Sequence, residues 1–180
     1  MDKYRVAATI IERLRTRAES IPDSYRKRVV LDKIKYYLAD AQWLSLAKYK
    51  EYTNAWYIGM LDSSGNREGS GALLLHDGYI YIGHWHYDEM WDDEDGIRLQ
   101  IDNGIYIGNF RNGDIHGNCY VHYPYGSEYE AEFENGREKK RKRERYADGV
   151  MRNSKPESGG LWGCLVIVII IIIIISIISR

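Results

Sequence analysis

The chain has 180 residues, with 25 Lys and Arg, 26 Asp and Glu, and a formal net charge of −1. This length allows one ordinary domain with attachments, and the balanced charge excludes any inference of a nucleic-acid or other charged partner from composition alone. Tyr (16 residues) and Gly (17) are frequent and Pro (3) is rare, a mixture that favours β-hairpins with glycine turns over a helical bundle.

The N-terminal part of the chain has the apolar periodicity of two amphipathic helices. Val6, Ile10 and Leu14 recur at steps of four residues, and charged residues fill the positions between them. The sequence SIPD (Ser20–Asp23) interrupts this pattern with capping residues and a proline. A second apolar stripe follows, consisting of Tyr25, Val29, Val30, Ile34, Tyr37, Leu38, Ala41 and Leu44. We therefore predict an amphipathic helical hairpin in residues 1–50.

The apolar stripe of this helical hairpin has two interpretations. It covers the end of the following domain, or it is a helix that binds a partner protein. The first interpretation is favoured because an open stack of repeats needs a cap.

From Tyr57 onward the sequence has the periodicity of a repeat. The triplet YIG occurs at Tyr57, Tyr81 and Tyr106, and the related YEAEF begins at Tyr129, so the intervals are 24, 25 and 23 residues. A nearly constant interval of this length indicates a repeat architecture. Each copy contains a strand, a glycine turn such as Asn112-Gly113, and a return strand.

Alternation along these strands places a tyrosine, a glycine and a second aromatic residue on the same face of each hairpin. The glycine lets a neighbouring ring or backbone approach closely, and the next hairpin covers the aromatic face. The predicted repeat-core residues are Tyr57, Gly59, Tyr81, Gly83, Trp85, Tyr106, Gly108, Phe110, Gly117, Tyr129 and Phe133.

Two segments, YIGNFRNGDIHGNCYVHYPYG (Tyr106–Gly126) and YIG…REGSGALLLHDG (Tyr57–Gly78), resemble the MORN repeat, the membrane occupation and recognition nexus motif. The resemblance extends over residues 57–150, about half of the chain. It implies a mainly β fold, a short MORN-type β-hairpin solenoid that acts as a scaffold and as a protein- or lipid-contacting surface. The sequence departs from the pattern at Leu61, where an aromatic residue is usual, and at Ala131, which replaces a glycine.

The C-terminal segment LWGCLVIVIIIIIIISII (Leu161–Ile178) has 18 residues and no charge. As a helix it would be about 27 Å long, close to the hydrocarbon thickness of a bilayer. Only Ser179 and Arg180 follow it, and residues 1–20 lack the apolar core of a signal peptide. We therefore predict a transmembrane helix, in a single-pass, tail-anchored protein whose domain faces the cytosol. A GPI signal, suggested by the small residues Ser158–Gly160, is disfavoured because no polar spacer precedes the apolar tail.

The run REKKRKRER (Arg137–Arg145) has seven basic and two acidic residues. It begins a predicted basic and flexible linker, residues 137–160, on the cytosolic flank of the apolar tail. The run either sets only the membrane topology or contacts anionic lipid headgroups. The lipid-contact candidates are Lys139, Lys140, Arg141, Lys142 and Arg143. The membrane segment disfavours a nuclear signal or a nucleic-acid patch.

Two further motifs carry groups that can bind ions. His84 and His86 lie on one strand face, opposite Trp85, and can share a metal ion, but the pattern supplies no fixed third ligand, so we predict no metal. DEMWDDEDG (Asp88–Gly96) has six acids, yet it fails the EF-hand pattern because Trp91 occupies the first ligand position. A solvated loop is favoured over an acidic tip that repels the membrane or binds a basic partner.

The sequence predicts a non-enzymatic, membrane-tethered scaffold that presents a repeat surface for protein recruitment at the cytosolic membrane face. No phosphate-binding loop or nucleophile motif occurs, no cofactor is expected, and no room remains for an enzyme domain. The candidate recruitment residues are exposed side chains of the stack: His84, His86 and the acids around Trp91. One alternative is an anionic-lipid-binding module that acts through residues 137–145. Another is a small metal-dependent hydrolase that uses the two histidines with Asp92 or Asp93.

Overall fold

The computed structural model describes the backbone of residues 1–146 and 151–153, and the side chains of residues 1–91 and 96–146. Over these residues a helical N-terminal region precedes an antiparallel sheet, which confirms the predicted mainly β class. The predicted transmembrane segment, Leu161–Ile178, lies outside the described residues. No helix among the described residues is long and apolar enough to cross a membrane.

The helical region breaks at Ser20–Asp23 and again at Asp40. Each α-helix follows an aspartate whose carboxylate accepts a hydrogen bond from a backbone N–H of the first turn, namely Asp2, Asp23 or Asp40. Because Asp40 starts a new helix, the second predicted helix is divided. The elements are α1 (Lys3–Glu19), α2 (Ser24–Lys33), a π-helix (Ile34–Leu38) and α3 (Ala41–Leu46).

Eleven strands in the described part of the chain form a single antiparallel sheet. Each strand pairs with its neighbours in the sequence, as expected for consecutive hairpins, except that the two-residue β5 pairs only at the side of β4. The strands are β1 (Lys48–Tyr52), β2 (Ala55–Leu61), β3 (Arg67–Leu75), β4 (Ile80–His86), β5 (Glu89–Met90), β6 (Asp92–Leu99), β7 (Ile105–Arg111), β8 (Asp114–His122), β9 (Glu128–Glu134), β10 (Arg137–Arg145) and β11 (Met151–Asn153).

Strand β10 corrects the prediction that Arg137–Arg145 begins a flexible linker. It pairs with β9 through two register shifts. The facing strand is acidic: Lys139 Nζ lies 2.5 Å from Glu134 Oε2, and Arg145 Nε lies 3.1 Å from Glu128 Oε1. Opposite charges on facing strands stabilise the pair, so a run that resembles a linker in isolation completes the last hairpin.

The acidic segment Asp88–Gly96, predicted as a solvated loop, also contributes strands. Glu89–Met90 is β5, and the backbone of Asp92–Leu99 is β6. A register shift between Asp92 and Gly96 separates two parts of the β6–β7 pairing. Such a bulge accommodates additional residues without ending the sheet, so the acidic insertion does not interrupt the stack.

The sheet buries residues on both faces. One face is aliphatic and packs against α1, α2 and the π-helix, so the helices cover a face of the stack. The prediction that they cover the end of the stack is therefore wrong. Its largest sheet residues are Ile58, Leu74, Ile80, Ile82, Ile97, Leu99, Ile105 and Ile107. The other face is aromatic, and the rings of Tyr57, Tyr81, Trp85 and Phe110 meet edge to face at centroid distances of 5.1 to 5.5 Å.

Candidate functional site

In the first repeat the Tyr-x-Gly motif places the Tyr57 ring over its own strand. A Cβ atom on Gly59 would overlap the Tyr57 hydroxyl and lie 2.5 Å from Cζ of that ring. The hydroxyl of Tyr57 donates a hydrogen bond to the Met60 carbonyl (2.9 Å). In the next repeat the Tyr81 hydroxyl makes the equivalent bond to the His84 carbonyl (3.0 Å). The glycine therefore leaves space for the ring, and the ring in turn satisfies a carbonyl three residues further on.

We expect Tyr57→Phe to lower the free energy of unfolding by about 1 kcal/mol, because the Met60 carbonyl loses its donor while the ring stays buried. Burial raises the pKa of the Tyr57 hydroxyl, so it remains protonated and able to donate. Urea denaturation measures the difference. Tyr25→Phe is the control, since Tyr25 is 49% exposed and should lose nothing. An equal effect of both substitutions would contradict the role of the hydroxyl.

The predicted repeat-core residues lie at comparable places in successive hairpins. Tyr129 is only half-buried, and Gly117 has a φ of 77°, in the left-handed region that favours glycine. The remaining ones are buried: Tyr57, Gly59, Tyr81, Gly83, Trp85, Tyr106, Gly108, Phe110 and Phe133.

Arginines stack on the aromatic face, a feature that the repeat pattern did not indicate. The guanidinium carbons of three of them lie 4.2, 5.2 and 4.0 Å from ring centroids, in the pairs Arg67–Trp85, Arg98–Tyr106 and Arg141–Tyr129. These are favourable cation–π distances. No constant spacing relates the arginines to the repeat tyrosines, so periodicity could not reveal them. The contacts identify this face as a packed core with internal charge.

Helix α1 lies across the segments that connect successive hairpins and donates hydrogen bonds to their carbonyls. Arg13 donates to the Gly78 carbonyl, which follows β3. Arg17 Nε donates to the Asn103 carbonyl at 2.7 Å, and its Nη2 donates to the His122 carbonyl at 3.2 Å. The three carbonyls belong to three successive repeats, so a single helix fixes all three to the helical layer.

The Arg17 side chain also fixes the protonation state of His122. Its Nη2 atom lies 3.1 Å from His122 Nδ1. Because a guanidinium can only donate, Nδ1 accepts and the neutral ring carries its proton on Nε2. Burial, together with the adjacent Arg17 charge, lowers the pKa of His122 to about 4. Burial likewise lowers the pKa of Arg17.

Near the hairpin tips the helix-facing side of the sheet is polar and solvent-accessible. His86 Nδ1 lies 3.0 Å from Glu68 Oε1, and this hydrogen bond lowers the pKa of Glu68. His84 Nε2 lies 3.5 Å from Ser70 Oγ. We name this surface the polar strip, and its residues are Glu68, Ser70, His84, His86, Asn109, Asn118, Glu132 and Glu134.

The two histidines of the polar strip have no metal cluster around them in the part whose side chains are described. No group of three or more His, Cys, Asp or Glu residues there is arranged to hold a metal ion. Asp92 and Asp93, the other ligands of the hydrolase hypothesis, have side chains outside that part. Cys119 is buried, and burial raises the pKa of its thiol to about 12.

The five lipid-contact candidates differ in how far β9 and β10 neutralise them. Three have polar partners: Lys139 with Glu134 (2.5 Å), Arg141 with Glu138 and Glu144 (2.8 and 2.7 Å), and Lys142 with Asn118 (2.5 Å). Lys140 and Arg143 are exposed and form no ion pair within the described chain. Residues 128–145 contain seven basic and six acidic side chains, a net charge of only +1.

A scan against protein-family models and a search of curated proteins both find no match to the chain. The function is therefore inferred from the repeat period, the two faces of the sheet and the distribution of charge.

Proposed function

We propose that the chain is a MORN-type β-hairpin solenoid that acts as a non-enzymatic, membrane-tethered scaffold at the cytosolic membrane face. It recruits a protein through the polar strip. The observation that carries this proposal is the division of the sheet into an aliphatic area under the helices, a packed aromatic face, and an exposed polar strip. The tyrosine-over-glycine packing and the 24-, 25- and 23-residue intervals support a solenoid of this type.

The shape of the polar strip supports binding rather than catalysis. Its side chains stand on strands of one sheet, and neighbouring pairs such as Ser70–His84 and Asn118–Glu132 face each other across strands. An exposed row of hydrogen-bonding groups suits an extended contact with a protein. Catalytic sites, in contrast, usually gather a few polar groups in a concave pocket.

The uncharged segment Leu161–Ile178 supports the tether. The test uses the full chain with an N-terminal epitope, produced in cells. We expect it to remain in the membrane fraction after carbonate extraction, and the epitope to be digested by protease added to intact vesicles. Release by carbonate would overturn the tether, and protection of the epitope would overturn the cytosolic orientation.

Recruitment through the polar strip is tested by site-specific photo-crosslinking of the membrane-bound full chain. A photoreactive residue at His84 or Glu132 should give a discrete adduct with one protein. The same residue at Thr53, which is exposed in the β1–β2 turn, is the control and should give none. The scaffold proposal is overturned if neither strip position forms an adduct, or if Thr53 forms the same one.

The alternative, an anionic-lipid-binding module at residues 137–145, has support from the exposed Lys140 and Arg143. The carboxylates of β9 and β10 compensate most of the remaining charge in this hairpin. Two basic side chains without an ion pair attract an anionic surface only weakly. We therefore rank this function second.

A further inference from the structure

The charges of the chain are segregated between the helical layer and the sheet. Residues 1–50 carry twelve basic and six acidic side chains, whereas residues 51–136 carry three basic and sixteen acidic ones. Because Lys48 and Lys50 lie in β1, the helical layer itself has a net charge of +4 and the sheet from β1 to Gly136 a net charge of −11. Strand β10 has seven basic and two acidic side chains, so the sheet up to Arg145 has a net charge of −6. The overall charge of −1 therefore combines a positively charged helical layer with a negatively charged sheet.

Several bases of the helical layer are used inside the fold. Arg13 and Arg17 donate to carbonyls of the sheet, and Lys27 pairs with Glu19 at 3.5 Å. A second set points to solvent instead. Its members are exposed and have no ion pair with any described residue; they are Arg15, Arg28 and Lys35. The outer face of the helices thus keeps three basic side chains without an ion pair in the described part of the chain, beside the acids Glu12 and Asp32.

Tyrosines accompany these bases on the outer face. Tyr25 and Tyr36 are 49% and 58% exposed, and they lie eleven residues apart, or about three helical turns, on the same side. Arg28 lies 5.9 Å from the Tyr25 ring centroid, and Lys35 lies 4.8 Å from that of Tyr36. Exposed tyrosines beside Lys and Arg are typical of helices that lie in the interface of a membrane.

We propose that the outer face of α1, α2 and the π-helix lies against an anionic membrane surface, an inference that rests on the proposed membrane tether. The basic helical layer is attracted to the headgroups and the acidic sheet is repelled by them, so the two effects orient the domain in the same sense. The helices then hold the sheet about 10 Å from the surface, the thickness of one helical layer.

An acidic protein is the other occupant that this charge would attract. The membrane is favoured because the exposed tyrosines suit the headgroup region, and because the apolar Leu161–Ile178 segment places the domain close to a bilayer.

The test measures contact between the helical layer and lipid in the full chain, incorporated into nanodiscs of phosphatidylcholine with or without phosphatidylserine. A fluorophore is attached at Ala8→Cys, an exposed position on α1, in a Cys164→Ser background. A lipid-borne quencher then reports proximity. The control label is Ser63→Cys, in the exposed β2–β3 turn. We expect quenching at Ala8→Cys that is several-fold stronger with phosphatidylserine and weaker in high salt, and little at Ser63→Cys.

Matched charge variants identify the surface. Arg28→Gln with Lys35→Gln should abolish the phosphatidylserine-dependent quenching, whereas Lys140→Gln with Arg143→Gln should preserve it. The opposite result, or no quenching at Ala8→Cys in incorporated chain, overturns the inference and leaves the tether intact. A chain that does not enter nanodiscs overturns the proposed tether itself, so the two failures are distinguishable.

Discussion

Replacing Gly108 by alanine should lower the free energy of unfolding by about 3 kcal/mol. A Cβ atom at this position would overlap the Asn118 carbonyl oxygen and lie 2.8 Å from the Cys119 Cα atom. Both are backbone atoms of β8, which pairs with the strand that contains Gly108. These backbone atoms cannot move away from the new Cβ atom unless the two strands separate, whereas a flexible side chain could rotate away. Urea denaturation of the purified chain measures the loss.

A second glycine separates this steric effect from backbone strain. Gly65 has a φ of +84°, but nothing lies within 4 Å of a Cβ atom built on it. Gly65→Ala should therefore lower the free energy of unfolding by only about 1 kcal/mol, which is the strain of an alanine in the left-handed conformation. His84→Ala, on the exposed strip, should leave stability close to that of the wild type. If Gly65→Ala and Gly108→Ala are equally destabilising, close strand packing is not the reason for the glycine.

Acidification from about pH 7.5 to about pH 5 should reduce stability by about 2 kcal/mol through His122 alone. The pKa of this residue is about 4 in the folded chain and about 6.5 in an unfolded one. As the pH falls between these values, the unfolded state binds the proton and the folded state does not, so stability decreases. The loss begins near the unfolded pKa and is complete near the folded pKa.

The measurement compares the pH dependence of unfolding free energies among variants. His122→Gln removes the titrating group, so its stability should change by about 2 kcal/mol less over the same interval. His84→Gln is the matched control, since His84 is exposed, and should keep the wild-type slope. Identical slopes for His122→Gln and the wild type would show that burial and Arg17 do not hold His122 neutral in the folded chain.

The regular part of the fold could be predicted because it depends on neighbours in the sequence. Tyr57, Tyr81 and Tyr106 recur at a nearly constant interval, and the alternation within each strand separates an aromatic from an aliphatic face. The helices could also be predicted, because their apolar stripe is a pattern of residues close together in the sequence. That stripe indicates that one side is buried but not against what, so it did not reveal that the helices cover a face of the sheet.

The parts that escaped prediction depend on residues far apart in the chain. Strand β10 is stabilised by the acids of β9, such as Glu128 and Glu134. The positive charge of β10 is unfavourable for a strand in isolation and becomes favourable when β9 pairs with it. The pair of Arg17 and His122 joins residues 105 positions apart and belongs to no repeat. Likewise the difference in charge between the helical layer and the sheet becomes apparent only when the structure shows that they are separate layers.

The position of α1 across three repeats has a consequence for how the chain folds. Its arginines bind carbonyls 65, 86 and 105 residues further along the sequence. During synthesis the helix is complete long before these carbonyls exist, so the three hydrogen bonds form only after the repeats that supply the carbonyls have been made. Contacts of such long sequence separation slow folding. Once formed, they join repeats that would otherwise unfold one by one, and the stack then melts as one cooperative unit.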